Sequence, residues 1–592
     1  MSMHHPSVAA LEKAMGDADQ HDGPFRPGSL AELDEREAFP AAAIRALDDF
    51  GLARHYVPTR YGGLLDDHSE LLQLLRAVAR RDLTVAVAHA KTFLGGACAW
   101  VAGNTAQAAA LGADIQRGAV AAWGLTERHH GSDLLAGELS ATRAKSGAGA
   151  GAESGSGWVL DGEKWLINNA TRGDLISVLA RTDPAGGPRG FSLFLVDKRT
   201  LPEGSYSHRP KILTHGIRGA DISGIAFHAA PVPDDALIGD IGDGIETVLK
   251  ALQLTRTVAV GLSLGAADHA LSLATGFAEG RNLYGRRLTD LPRVRRILGE
   301  ISATIFLAEA TAQVSARSPH ALTAEMSVVS AVTKAAVPTL AQDAIDRLTE
   351  LMGTRGFLSR TYAEGQYAKL ERDHRIVAIF DGSTAVNRNA LIDQFARLAR
   401  AYRRGRWNET GLAEAVDTGQ ELTAFDPARQ RLLSGDGCSL VQSLPDAAQK
   451  IAGLADRGLL PLQVSRMADE LTTVADRLHE DMAALRRTPR DVPPTAFHLA
   501  ERYELVYAGT AALRLWLHNA PVADAAAGPQ LWRNGLWLAA ALAAALTRLG
   551  VPVDASHAAA YDRVADRLLE APTGTLSLLS TDSTDDLAWS TS

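Results

Sequence analysis

The apolar residues of this chain change their spacing twice along its length, and that change restricts the architecture more than any other feature. From Leu30 to about Arg117 they recur every three or four residues, as in FPAAAIRALDDFGLA, which stops at Gly51, and LLQLLRAVARRDLTVAVAHAKTFLGG. Such spacing predicts amphipathic helices, with PTRYGG as the turn between them. Between residues 118 and 240 the apolar runs shorten and alternate: WVLDGEKWLINNA, DLISVLARTD, GFSLFLVDK and ISGIAFHAAPVP, each bounded by Gly, Pro or Asp. A period of two puts successive side chains on opposite faces, so these runs predict strands of a small antiparallel domain. From Gly242 the helical period returns in ETVLKALQLTRTVAVGLSLGAADHALSLATGFAEGR, DLPRVRRILGEISATIFLAEATAQVSAR and VVSAVTKAAVPTLAQDAIDRLTELMG. These are the long amphipathic helices of a bundle. The expected fold is mainly α with a small antiparallel β-domain in the middle.

Five segments follow from this pattern. Residues 1–28 are polar and rich in Gly and Pro, and are expected to be a flexible leader. Residues 29–120 form an N-terminal helical domain, 121–240 the middle β-domain, and 241–402 a four-helix-bundle domain. After the basic link Tyr402–Arg406, residues 407–592 form an additional helical domain. Five of the nine Trp lie in it (407, 516, 532, 537 and 589), which predicts a packed core of its own. Its run Gly535 to Leu546 is the longest apolar stretch in this reading, too short for the ~20 residues of a membrane span, and reads as a buried helix. Ala144–Gly157 is a low-complexity hairpin tip without chemistry, and the Ser/Thr/Asp-rich tail from Thr573 is expected to fray.

Composition excludes some functions. The 592 residues carry 60 Lys+Arg against 69 Asp+Glu, a net charge of −9, which argues against nucleic-acid binding. The additional helical region has a single Lys, Lys450, and no basic amphipathic patch for a membrane surface. Two cysteines, Cys98 and Cys438, make neither a disulfide framework nor a thiolate metal site, which fits a reducing cytoplasm. The first residues show no signal-peptide pattern. His129 and His130 lack further ligands at a recognisable spacing, so no metal is expected.

Seven segments in a fixed order sharpen the reading: FP…L…GL…VPTRYGG (39–63), WGLTERHHGSD (123–133), LDGEKWLINNA (160–170), GIRGADISGIAFHAAPVPDDALIG (216–239), GRNLYGRRLTDLPRVR (280–295), ELMGTRGF (350–357) and ERDHRIVAIFDGSTAVNRN (371–389). With them the chain, from about Leu30 to Arg400, resembles the flavin-dependent acyl-CoA dehydrogenase superfamily. Residues 407–592 resemble in size the helical extension of its very-long-chain branch. The resemblance implies FAD as cofactor and oxidation of an acyl thioester, on CoA or on an acyl-carrier protein. It also implies an electron-transfer flavoprotein as electron acceptor and a homodimer or homotetramer.

Residue by residue, the resemblance places Leu125, Thr126, Gly131 and Ser132 around the flavin, a group that needs hydroxyl and backbone N–H donors on a rigid frame. It puts Asn168 where the family has a Ser or Thr facing flavin N5, and Leu166 where a Trp often stacks. Trp165 precedes that place and is carried as a cofactor-binding candidate, although a one-residue shift in a strand changes face and would turn it from the ring. Arg281 matches an Arg reaching the FAD pyrophosphate across a subunit interface, and Gly353 and Gly356 a loop meeting a neighbour's FAD. Ser383 falls beside the cofactor, and Phe380 and Gly382 beside the substrate. Arg128, His129 and His130 stand where the family has small residues, and suit a polar or anionic substrate as well as they suit a solvent-facing loop.

The reaction needs a base for the α-proton and donors for the developing enolate oxygen. The family carries a Glu in an aromatic–Glu–Gly–Thr turn; here the turn is Phe380-Asp381-Gly382-Ser383. Asp381 is therefore the expected base, its backbone N–H an oxyanion donor, and Arg256 its electrostatic support. Asp loses about 1.5 Å of reach relative to Glu, and the alternative family position is occupied by Thr255, which is no base. Three functions remain open on sequence: an FAD-dependent α,β-dehydrogenase of acyl thioesters, a flavin-dependent oxidase or monooxygenase on the same fold, and a non-catalytic acyl- or partner-binding relative.

Overall fold

The computed structural model describes residues 5–17, 23–144, 157–488, 491–520, 531–552 and 554–579. Trp589 and nearly all of Ala144–Gly157 lie outside the described residues. Six helices come first: α1 (Pro6–Met15), α2 (Pro27–Glu35), α3 (Ala41–Phe50), α4 (His68–Arg81), α5 (Leu83–Ala102) and α6 (Thr105–Gln116). The long apolar pattern from Leu71 divides at Asp82, whose side chain accepts the Val85 N–H and so starts α5 afresh. The first residues are not a loose leader throughout. Leu11 and Met15 fall one helical turn apart in α1 and are fully buried in the core.

The middle domain holds β1 (Ala121–Gly124), β2 (Ser140–Arg143), β3 (Trp158–Asn168), β4 (Leu175–Arg181), β5 (Phe191–Asp197), β6 (Tyr206–Arg209), β7 (Ile222–Val232) and β8 (Leu237–Ile238). They form one sheet in the order β6-β7-β3-β2-β4-β5-β8, with β1 also on β4. The sheet is mixed rather than antiparallel, because β1 and β2 both run parallel to β4. Alternation within a strand reports burial and not neighbour direction, so the sequence could not distinguish the two.

The bundle follows: α7 (Gly244–Gly280), a small hairpin of β9 (Asn282–Leu283) and β10 (Arg286–Arg287), α8 (Pro292–Ala321), α9 (Met326–Met352), α10 (Thr354–Phe357), α11 (Gln366–His374), α12 (Thr384–Ile392) and α13 (Phe395–Arg404). The additional helices are α14 (Glu409–Val416), α15 (Ser439–Gln442), α16 (Leu444–Asp456), α17 (Leu462–Ala484), α18 (Pro494–Asn519), α19 (Leu536–Arg548) and α20 (Ala555–Glu570). Their core is not separate. One apolar cluster joins Phe306, Val314 and Val332 of the bundle to Leu471, Tyr507, Trp537 and Leu542 of the extension. Gly299 of α8 lets α20 approach so closely that a Cβ there would lie 2.0 Å from the Tyr561 carbonyl oxygen. The tail does not fray at Thr573: the Ser577 hydroxyl (2.6 Å) and the Leu578 N–H (3.1 Å) donate to buried Glu309. The helices α5, α7 and α8 are each long and apolar enough to span a membrane, longer than the 535–546 run, and 89%, 83% and 89% of their most apolar windows are buried inside the protein.

Candidate active site

A cleft of about 770 Å³ opens where α5, the loop after β1, the end of β3, α7 and the turn before α12 meet. Each wall is held by buried charge. In the loop after β1, the Glu127 carboxylate accepts from the Lys164 ammonium at 2.7 Å and from the N–H groups of Glu138 and Leu139 at 2.6 and 3.0 Å. Burial pushes the Glu127 carboxyl up, but Lys164 and the two N–H donors outweigh it and hold it below its ordinary range. Lys164 also donates to the Leu125 carbonyl at 3.1 Å. Thr126 is tied to Trp165 both ways: its carbonyl accepts the Trp165 N–H at 2.9 Å, and its hydroxyl donates to the Trp165 carbonyl at 2.6 Å.

This places Leu125, Thr126, Arg128, His129, Gly131 and Ser132 on the cleft wall. His130 is not among the lining residues; its ring lies 3.5 Å from Glu138. Trp165 lines the cleft, and so does Leu166. The register of β3 on β7 slips between Trp165 and Ile167, and Leu166 is the extra residue at φ 58°. A bulge of this kind breaks the strict alternation on which the face argument rests. The Arg128 guanidinium sits 5.0 Å from the Trp165 ring centroid. Asn168 also lines the cleft; its amide donates to the Val87 carbonyl at 3.2 Å, while its Oδ1 is buried with no hydrogen-bond partner among the described residues.

On the facing wall, Asp381 takes φ 56° and Gly382 φ 95°. Asp tolerates the left-handed region better than most residues. At Gly382 a Cβ would lie 2.6 Å from an Arg256 nitrogen, so the turn needs glycine there. Arg256 donates from Nε to the Asp381 carbonyl at 2.8 Å. Burial pulls this guanidinium down to about 10, partly offset by Asp381. Lys334, buried in α9, donates to the Val377 carbonyl at 2.6 Å and the Gly382 carbonyl at 3.4 Å, with its ammonium 5.3 Å from the Phe380 ring centroid. Its burial lowers it to about 7. Phe380, Asp381 and Gly382 line the cleft; Ser383 does not, because its hydroxyl caps α12 by accepting the Val386 N–H.

Among the described residues the Lys91 ammonium is the one cation at ion-pair distance from the Asp381 carboxylate, 3.6 Å from Oδ1, with Arg256 and Lys334 acting on it from farther off. Oδ2 is buried with no hydrogen-bond partner among the described residues. The loop 214–217 closes the cleft below. Gly216 abuts the Arg372 carbonyl, where a Cβ would meet oxygen at 2.3 Å, and the Ile217 N–H donates to Asp373 at 2.6 Å. Asp373 is held in turn by Lys369 at 2.7 Å.

Arg281, Gly353 and Gly356 lie outside the cleft of a single chain: Arg281 ends α7, Gly353 ends α9 and Gly356 is inside α10. Sequence reasoning did not find Lys91, Lys334, Glu127 or Lys164. For the first and second a signal existed, a lone cation inside an otherwise apolar helical run, AVAHAKTFLGG and VVSAVTKAAVP.

Three family models match in order: acyl-CoA dehydrogenase N-terminal domain over residues 27–119, middle domain over 122–230 and C-terminal domain over 242–396. The probable acyl-CoA dehydrogenase FadE25 of Mycobacterium tuberculosis is 27% identical over 359 residues, 60% of this chain and 88% of that protein. The human mitochondrial short-chain specific acyl-CoA dehydrogenase is 28% identical over 382 residues, 63% of this chain and 86% of its own length. In fold, the acyl-CoA dehydrogenase of Bacillus anthracis, solved complexed with FAD, superposes with a TM-score of 0.66 at 18% identity, covering 95% of this chain and 94% of that one. That likeness takes in the additional helices as well as the first 400 residues. Domains matched in order over more than half the chain, around a cleft lined by the loop after β1 and the turn at Asp381, place this protein in the acyl-CoA dehydrogenase family.

Proposed function

We propose that the protein is an FAD-dependent oxidoreductase that removes the α- and β-hydrogens of an acyl thioester. The observation that carries this is the buried Asp381 carboxylate, 5% exposed, facing the same cleft as Leu125, Thr126, Trp165 and Asn168. The residues present fit a flavin. The lining is mostly apolar, the orphaned Oδ1 of Asn168 is an unused acceptor, and the Ser132 side chain lies exposed on the wall. When bound, FAD supplies the acceptor for the hydride equivalent leaving the β-carbon. Asp381 takes the α-proton. Its side chain lines the cleft, and its Oδ2 has no hydrogen-bond donor among the described residues competing for that proton. The Asp381 N–H makes no backbone hydrogen bond within the described residues and is left to donate to the thioester oxygen as enolate character develops. Arg256 and Lys334 fix the turn through its carbonyl oxygens, so the carboxylate and the N–H are held in one geometry.

The reading extends to an electron-transfer flavoprotein as acceptor, CoA or an acyl-carrier protein as thiol, and a reducing, cytoplasmic setting, which the two free, buried cysteines suit. It also includes a homodimer whose partner brings Arg281, Gly353 and Gly356 to the FAD. Tyr284 and Phe357, next to these residues in sequence, are 92% and 82% exposed and leave apolar surface for such a contact. The test is anaerobic titration of the purified flavoprotein with short, medium and long acyl-CoAs and with acyl-carrier proteins. Bleaching of the oxidised flavin band by one class supports the proposal; bound flavin that no thioester reduces overturns it. Sedimentation of the holoprotein as a monomer would remove the shared-site part.

A further inference from the structure

Three cations surround the turn at Asp381, one from each of three helices: Lys91 of α5, Arg256 of α7 and Lys334 of α9. Two are spent on backbone. Arg256 binds the Asp381 carbonyl, and Lys334 binds the Val377 and Gly382 carbonyls. Lys91 alone forms an ion pair with the carboxylate, at 3.6 Å, with side-chain exposures of 17% for Lys91 and 5% for Asp381. The pair spans the cleft from the N-terminal helices to the base turn, and both residues line it. The other charged or titratable side chains on this cavity are His215, Arg372 and Arg375 below, Arg128 and His129 on the flavin loop, and Glu127, which Lys164 neutralises.

We propose that Lys91 is a positioning residue for the base, holding the Asp381 carboxylate directed across the cleft. This rests on reading Asp381 as the base. The physical need follows from the residue type. Oδ2 of this short side chain meets no hydrogen-bond donor among the described residues, and Lys91 is the one cation there at ion-pair distance to fix the direction of the carboxylate. A cation at ion-pair distance, but beyond tight hydrogen-bond contact, directs the carboxylate without taking up its second oxygen.

The experiment uses the full-length flavoprotein and has two arms. In the first, lysines are pulse-acylated with acetic anhydride between pH 6 and 10 and mapped by peptide mass spectrometry, with exposed Lys450 as internal reference. In Asp381→Asn, which removes the ion pair, labelling of Lys91 relative to Lys450 should rise at least about threefold. Equal labelling within twofold overturns the ion pair and the proposal. In the second arm, Lys91→Met should slow thioester-dependent flavin reduction by about tenfold with flavin bound normally, and Lys91→Arg should restore the rate. An unchanged rate in Lys91→Met, with flavin bound normally, overturns the positioning role. If no thioester reduces the wild-type flavin, the proposed function fails and takes the base role with it; the labelling arm then still decides whether Lys91 holds the carboxylate.

Discussion

Asp381 combines a φ of 56° with a carboxylate confined between Lys91 and the cleft. The backbone takes the left-handed region at this residue, and the side chain lines the cavity. Asn has nearly the same shape and tolerates the same backbone, so it tests charge alone. Asp381→Asn should retain its flavin spectrum and lose at least about 100-fold in the rate of thioester-dependent flavin reduction, measured by stopped flow. A variant within threefold of wild type would remove Asp381 from the role of base.

At the scale of elements, the loop from Leu125 to Leu139 is shaped from within by the Lys164–Glu127 pair, at 2.7 Å with side chains only 2% and 8% exposed. Such a pair adds little by its presence, but removing one member strands the other charge. Lys164→Met should therefore cost about 3–5 kcal/mol in denaturant unfolding and release FAD at lower denaturant than wild type. Unchanged stability would mean that the loop is held by its backbone alone. The bulge at Leu166 acts on the same wall from the other side: one extra residue lets Trp165 and Leu166 both face the cleft.

Over the whole molecule, the additional helices are structural partners of the bundle. Arg388 of α12, five residues past the Gly-Ser end of the base turn, is held by Glu504 and Glu501 of α18 at 2.8 and 2.5 Å. Ending the chain after Arg406 would uncover the apolar faces of α8 and α9, so that fragment should be recovered only as aggregate, judged by size-exclusion chromatography. A soluble, flavin-loaded fragment would contradict the shared core. Where α9 meets the extension, burial raises Glu325 from 4.5 to about 7, opposed only in part by its bonds from Ser439. The folded value lies above the unfolded one, so the stability Glu325 contributes is complete below about pH 4.5 and is lost as pH rises through 7. Glu325→Gln should gain about 2 kcal/mol relative to wild type between pH 5 and pH 8, read from melting curves at each pH. A gap that does not widen with pH would show that this carboxyl does not titrate in the fold.

The order of helices, strands and helices, the family, and the composition of the loop after β1 and of the turn at Asp381 were all legible in the sequence. Each depends on local spacing or on a short contiguous run such as Phe380–Ser383. Position across the chain was not. The parallel neighbours of β4, the bulge that turns Trp165 into the cleft and the core that α8 shares with α19 and α20 are set by pairing between distant segments, which a period cannot encode. The same holds at the base. A sequence names Asp381, but only the packing of α5, α7 and α9 around one turn gives two of three cations to its carbonyls and leaves Lys91 to the carboxylate, because charge acts through space and not along the chain.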